Sequence, residues 1–362
     1  MSANESINRR DFLKGVTASS VGLTLGAQAL TAITLTSSEP ASASAASKEH
    51  NKDAANGYTL LNNVQYGIVG KTPLLMNITI PDPMPKKPVP AILFFHGGGW
   101  GGGSREDMMS HCYLVSKAGY VGASVEYRLV GQAPFPAQLQ DCKGAVRFIR
   151  ANAEKYGVNP DLIGVWGCSA GGHLAAMMGL TEGIAEFEGD CGNPGVSSRV
   201  QLVVDGFGPT DLERWQEIVN KWADDKEAYK LFAPPVWDAS MAQPPIWGEA
   251  MFQWWKNFNL ATDPNLSKFF TGNAADIPKQ AKWASPVTYA DRKENVPPFL
   301  FVHGTLDTWV PLQQSIQLAN ALDKNGVKVD FMLEINVDHD DSKAFPRIIE
   351  YLRKTLPLPN AS

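Results

Sequence analysis

The chain has 362 residues, 44% of them hydrophobic and 19% charged, which is a globular composition and not that of an unfolded polyelectrolyte. A chain this long can bury a large core without staples, and four cysteines are too few for a disulfide scaffold. The formal charge of −5, from 32 basic and 37 acidic residues with no basic block, argues against nucleic acid or an anionic membrane as the main partner.

Residues 1–45 read as an export signal. Arg9-Arg10-Asp11-Phe12-Leu13-Lys14 precedes a weakly apolar run over 16–33 and a small-residue stretch over 41–46, the basic, apolar and A-x-A order of a signal peptide. The paired arginines give it the pattern of a twin-arginine signal, and cleavage is expected near Ala43 or Ala45. The run is too polar for a stable membrane anchor. The mature protein is therefore expected in the periplasm or outside the cell. Twin-arginine cargo crosses already folded, so Cys112, Cys142, Cys168 and Cys191 could pair only afterwards; the spacing selects no pairing.

Residues 46–362 are expected to form one catalytic domain. Short apolar runs at 74–80, 91–95, 120–127, 161–166, 200–204, 299–302 and 327–333 read as strands. Helices are expected between them. One opens at Pro136 and sets Leu139, Cys142, Ala145, Val146 and Ile149 on a single face. Others follow Ser169 and cover about 311–324 and 343–355. This alternation implies an α/β fold, a mostly parallel central sheet with helices on both faces. The stretch 212–283 breaks it. The segment from Asp211 to Trp283 holds seven of the ten tryptophans and two Pro-Pro pairs, and is read as a helical cap inserted over one end of the sheet.

Two glycine-rich segments carry chemistry. Gly167-Cys168-Ser169-Ala170-Gly171-Gly172 lies between a strand and a helix, the setting of a G-x-S-x-G nucleophile elbow. A turn that sharp needs small neighbours, and it lifts the serine oxygen above the sheet at a helix N-terminus. His96-Gly97-Gly98-Gly99-Trp100 follows the run ending at Phe95; glycines there let backbone N–H groups face an anion. A serine nucleophile needs a base and an orienting acid. Of six histidines, His50 falls in the tail, His111 and His173 on helices, and His96 and His303 at strand ends where a structural role fits. His339 remains as the base. Asp307 follows a strand and is the expected acid, giving the order Ser169, Asp307, His339. Asp338, Asp340 and Asp341 flank His339 and read as solvated, with one of them an alternative orienter.

These residues resemble the α/β-hydrolase esterases and lipases with an HGGGW motif, specifically the hormone-sensitive-lipase-like and bacterial acetylxylan/feruloyl esterase groups. The matching segments are HGGGW at 96–100, EYRL at 126–129, the stretch 135–175 around GCSAGGHLA, GPTDL at 208–212, ASPVTYA at 284–290 and 297–315. The resemblance implies a serine esterase that works through an acyl-enzyme. The amides of Gly98, Gly99 and Ala170 would form the oxyanion hole, and no metal or organic cofactor would be needed. The substrate class it suggests is acetyl, feruloyl or other short or aromatic acyl esters, on carbohydrate or small molecules. Trp100, beside the glycine loop, is expected to line the site. Two departures stand out: the base sits in Asn336-Val337-Asp338-His339-Asp340 rather than a Gly-x-Gly-His loop, and the insertion is long and rich in Trp. A peptidase or amidase on the same fold uses the same triad, and a non-catalytic binding protein usually lacks a triad member. Oligomeric state is not legible.

Overall fold

The computed structural model describes residues 50–53, 57–215, 217, 266–271, 273–307 and 309–359. The segment 1–45 and most of the insertion at 212–283 lie outside the described residues.

Nine strands form one sheet among the described residues: β1 His50–Asp53, β2 Tyr58–Val69, β3 Thr72–Pro81, β4 Val89–Phe95, β5 Val121–Val125, β6 Val158–Cys168, β7 Leu202–Gly206, β8 Phe299–Gly304 and β9 Val329–Glu334. Their spatial order is β1-β2-β3-β5-β4-β6-β7-β8-β9. From β5 to β9 every pairing is parallel, and β1, β2 and β3 add an antiparallel edge. His50 thus belongs to the edge strand, not to a detached tail.

The expected strands are present within a few residues of their places, and β1 and β2 are the additions. In β2 the Asn62-Asn63 pair and Gly67 are accommodated by two register shifts against β3. Asn63 takes a left-handed φ of 55° there, and its N–H donates to Asn77 Oδ1 at 3.0 Å.

Alternation along the central strands sorts the core into two layers. Ala91, Leu93 and Phe95, Val165, Val203 and Phe301 face one side. Packed on that side are α2 (Ala137–Ala151), α3 (Ala170–Leu180) and α5 (Leu312–Lys324). Ile92, Phe94, Trp166, Leu202, Val204 and Val302 face the other, under α1 (Met109–Lys117) and α6 (Phe345–Thr355). The central runs read as continuously apolar because both faces are covered. Helix α3 shows the consequence most fully: all eleven of its residues are buried. Among the described residues of 212–283, the seven-residue α4 (Ile277–Trp283) contributes Ala281 to this layer, and Leu212, Phe269 and Phe270 join it as well. All four cysteines are free and buried. No helix among the described residues is long and apolar enough to cross a membrane.

Candidate active site

The functional candidates gather where the parallel strands end. Ser169 follows β6, Asp307 lies beyond β8, and His339 lies beyond β9, so all three stand at the carboxyl edge of the sheet.

Ser169 caps α3 with φ 58° and ψ −122°, backbone that an L-residue adopts only when its surroundings impose it. The imposition is visible on both sides. Its N–H donates to Gly206 O at 2.8 Å, and its own carbonyl accepts from the His173 N–H at 3.0 Å. A Cβ on Gly171 would collide with the carbonyl of Phe95, and one on Gly172 would stand 2.5 Å from Asp205 Oδ1. The elbow therefore needs glycine where strand and helix pass closest. Ala170 opens α3, so its N–H has no carbonyl one turn earlier within the helix.

The glycine loop lies against this turn. A Cβ on Gly97 would fall 3.2 Å from the Cβ of Ser169. Gly98 has φ 107°, and its carbonyl accepts from the N–H groups of Gly101 (3.1 Å) and Gly102 (3.0 Å). His96 anchors the start of the loop, as its place at a strand end suggested. Its ring stacks on Tyr127 at 4.2 Å, and its carbonyl accepts from the Tyr127 hydroxyl at 2.8 Å.

Trp100 requires a correction. It is 5% exposed, so its ring is a packing element and not a wall open to substrate. Its Nε1–H donates to His173 Nδ1 at 3.2 Å, and its ring lies 4.6 Å from that of Phe269. His173 Nε2 in turn faces Ala284 O at 2.7 Å, so Nε2 carries the proton and Nδ1 accepts. Burial pushes the His173 pKa down from 6.5 to about 4. A histidine held neutral in the fold stabilises it fully above about pH 6.5, and that contribution is lost as pH falls through about 4. It is worth roughly 3 kcal/mol. We expect His173→Phe to lower stability by about 1–3 kcal/mol at pH 8, because the Trp100 N–H loses its acceptor. Urea titrations at pH 8 and pH 5 should show the gap from wild type narrowing at the lower pH.

His339 Nδ1 lies 2.7 Å from Asp307 Oδ2. Asp307 is fully buried, and its Oδ1 accepts from the N–H groups of Trp309 and Val310, each at 2.8 Å. His303 Nε2 is 3.2 Å from Oδ2, while its Nδ1 meets Ser315 Oγ at 2.8 Å, a structural placement as expected. Burial acts to raise the Asp307 pKa. The neighbouring His339 and the hydrogen bonds from His303 and His339 outweigh it and hold the carboxyl well below the usual carboxylate range. With Asp307 occupying Nδ1, the Nε2 edge of His339 is left to exchange a proton. The ring is kept in place by Phe207, 4.2 Å away, the residue that follows the Gly206 carbonyl bound by Ser169.

The loop carrying His339 is laced to the end of β8 without the expected glycines. Thr305 N–H donates to Glu334 O at 2.9 Å, Leu306 N–H to Val337 O at 2.8 Å, and Asn336 N–H to Thr305 Oγ1 at 2.9 Å. The glycine is supplied from the other side: a Cβ on Gly304 would strike the carbonyls of Val337 and Asp338. Of the flanking acids, Asp338 and Asp340 are exposed, but Asp341 is 3% exposed and not solvated. Nothing in the local sequence, three Asp around one His, distinguishes it.

Beyond the tilted aromatic cluster of Trp100, Phe269 and Phe135, an open groove of about 710 Å³ is lined by Phe135, Glu186, Lys279, Gln280 and Trp283 among others. Trp283 Nε1–H donates to Glu186 Oε1 at 2.6 Å.

The sheet order, the elbow and the order of the residues define an α/β-hydrolase fold. Comparison with known proteins agrees. Residues 76–244 match the family model described as BD-FAE, and residues 227–356 match the Prolyl oligopeptidase family. The chain is 28% identical over 235 residues to Esterase LipC of Mycobacterium tuberculosis, covering 64% of this chain and 48% of that protein. It is 25% identical over 260 residues to the Probable carboxylic ester hydrolase LipM of the same organism, covering 70% and 49%. The chain thus spans about half the length of these curated relatives. Among solved structures, a truncated form of a carbohydrate esterase from gut microbiota superposes with a TM-score of 0.64 and 26% identity, covering 85% of this chain and 99% of that one. Esterase Est2 of Thermogutta terrifontis, at 22% identity and a TM-score of 0.59, shares the fold over 83% of this chain and 96% of its own.

Proposed function

We propose that the chain is an exported serine esterase that cleaves acetyl, feruloyl or similar short or aromatic acyl esters, with carbohydrate esters as the favoured class. The observation that carries this reading is the strained Ser169 turn at the carboxyl edge of the sheet, where the loop after β9 also presents a histidine whose Nδ1 is held at 2.7 Å by a buried carboxylate. Ser169 Oγ attacks the acyl carbonyl while its proton passes to His339 Nε2. The amides of Gly98, Gly99 and Ala170 hold the tetrahedral oxyanion. Its collapse expels the alcohol, which takes the proton from His339, and leaves an acyl-enzyme. Water then gives its proton to His339, attacks the acyl carbonyl, and the acid leaves as Ser169 regains its hydrogen. Asp307 fixes the imidazole tautomer and stabilises its charged form. No step requires a metal or organic cofactor.

The carbohydrate preference is supported by the match to a carbohydrate esterase structure, by the export signal read at 1–45, and by the groove at Trp283. There an aromatic ring flanked by Glu186, Lys279 and Gln280 offers the mixture that sugar faces and hydroxyls bind. The test is a panel of acetylated xylan, methyl ferulate and p-nitrophenyl acetate, run beside fluorophosphonate labelling of Ser169. Release of acetate or ferulate is the expected result. No acid from either natural-type ester would defeat the carbohydrate reading. The match of residues 227–356 to the Prolyl oligopeptidase family favours a second reading, an amidase or peptidase. A clean Ser169 label without ester turnover would select it.

The oxyanion loop gives a separate prediction. An added Cβ at Gly98 would stand 2.5 Å from Gly102 O, on backbone at φ 107°. Gly98→Ala is expected to displace the loop amides and lower kcat by about 10²–10³-fold, read on p-nitrophenyl acetate.

A further inference from the structure

A second buried acid sits beneath the site. Asp341 lies two residues beyond His339 and is 3% exposed. Its Oδ2 accepts from Trp166 Nε1–H at 3.0 Å and from the Cys168 thiol at 3.3 Å. His111 Nε2 on α1 lies 3.3 Å from its Oδ1. Trp166 and Cys168 are two apart on β6 and so face the same side, and Cys168 is bonded directly to Ser169. Around this carboxylate the rings of Trp166 and Phe345 stand 5.0 and 4.7 Å from that of His111, closing the cluster to water.

Taking Ser169 and His339 as the acting pair, we propose that Asp341 is a positioning residue that locks the His339 loop onto the strand carrying Ser169. The physical reason is the cost of separating the two. A buried carboxylate cannot leave its donors without losing charge-assisted hydrogen bonds and stranding itself in an apolar layer. Moving the His339 loop away from the elbow would break three such contacts together. Asp307 and Asp341 then divide the work: Asp307 orients the imidazole ring, and Asp341 fixes where the loop holding that ring sits relative to the nucleophile.

His111, Cys168 and Asp341 also offer three metal-ligating atoms within 4.8 Å of one another. A hydrogen-bond lock accounts for the cluster without an ion, because each of the three donors already points at the carboxylate. Burial keeps the Cys168 thiol protonated by raising its pKa well above the usual value, so it remains a donor.

The experiment uses the full chain with Asp341→Ala and Asp341→Asn. Active sites are titrated with a fluorophosphonate, and kcat and KM for p-nitrophenyl acetate are expressed per titrated site. For Asp341→Ala we expect kcat to fall about 10²-fold with KM within about twofold, the size of loss that small misplacement of a reacting group produces. Asp341→Asn should recover to within about tenfold of wild type, because its amide oxygen still accepts from Trp166 and Cys168. Wild-type kcat per titrated site in Asp341→Ala, whatever its melting temperature, would reduce the residue to a structural role and overturn the proposal. If Asp341→Ala does not fold, Trp166→Phe removes one donor and keeps the ring. A several-fold loss of kcat at unchanged KM is expected there, on the order of one charge-assisted hydrogen bond, and an unchanged kcat would overturn the proposal. One equivalent of zinc in the purified protein would also overturn it. Failure of the wild type itself to label at Ser169 would instead sink the esterase reading on which this one rests.

Discussion

Ser169→Ala is expected to reduce ester turnover by about 10⁴–10⁶-fold and to abolish fluorophosphonate labelling, while leaving the fold and the affinity for substrate nearly unchanged. The substitution keeps the Cβ, so the turn at φ 58° still has the same steric partners: the Gly206 carbonyl, the His173 amide and the glycines that meet Phe95 and Asp205. What disappears is only the atom that forms the acyl bond. The remaining rate would come from water attacking an ester held against the Gly98, Gly99 and Ala170 amides, which is why some catalysis over background should survive. The outcome separates readings cleanly. Full activity in Ser169→Ala would mean that the reacting group lies elsewhere, whatever the geometry of the elbow.

Asp307→Asn should lower kcat by about 10⁴-fold with little change in KM, the loss typical when the orienting carboxylate of a serine hydrolase is replaced. The reason is local. His339 Nδ1 stands 2.7 Å from Asp307 Oδ2, and Oδ1 is already held by the Trp309 and Val310 amides. An asparagine that keeps those two bonds through its oxygen must turn its amide N–H toward His339. The imidazole then accepts at Nδ1 and carries its proton on Nε2, where it can no longer take one from Ser169. Stability should change in a defined window. A carboxyl held below its ordinary value of 3.8 stabilises the fold above that pH, and this contribution is lost as pH falls below it. The variant should therefore differ most from wild type near neutrality and converge with it in acid. Parallel kcat/KM and thermal-denaturation series check both halves.

Much of this site is legible in the sequence because its chemistry is local. The Gly167–Gly172 turn and the His96–Trp100 loop are contiguous, and each carries glycines at the points where backbone passes backbone. Asp307 and His339 lie far apart in the chain, yet each follows a strand at a place where a parallel sheet brings strand ends together. Strands β1 and β2 are not legible as apolar runs: polar His50, Asn51, Lys52 and Asp53 make up β1, and Asn62-Asn63 and Gly67 interrupt β2, whose pairing with β3 carries it through them. Nearness to the glycine loop points Trp100 at the pocket, but its partner is His173, 73 residues away, and nothing in that neighbourhood marks it. The cap expected at 212–283 rests on a break in strand pattern and a concentration of tryptophan, and most of that segment lies outside the described residues.

By itself, then, the sequence determined the sheet-forming runs, the elbow, the glycine loop and the order of Ser169, Asp307 and His339. Those depend on periodicity, on steric allowance at glycine and on strand-to-helix punctuation, all of which act over a few residues. Only the tertiary structure decided between the acids around His339. Asp307 and Asp341 are both buried and both partnered, but one meets the imidazole and the other meets Trp166, Cys168 and His111. Burial and the donors that face a carboxylate arise from segments brought together by the sheet, and a run of like residues along the chain carries no trace of them.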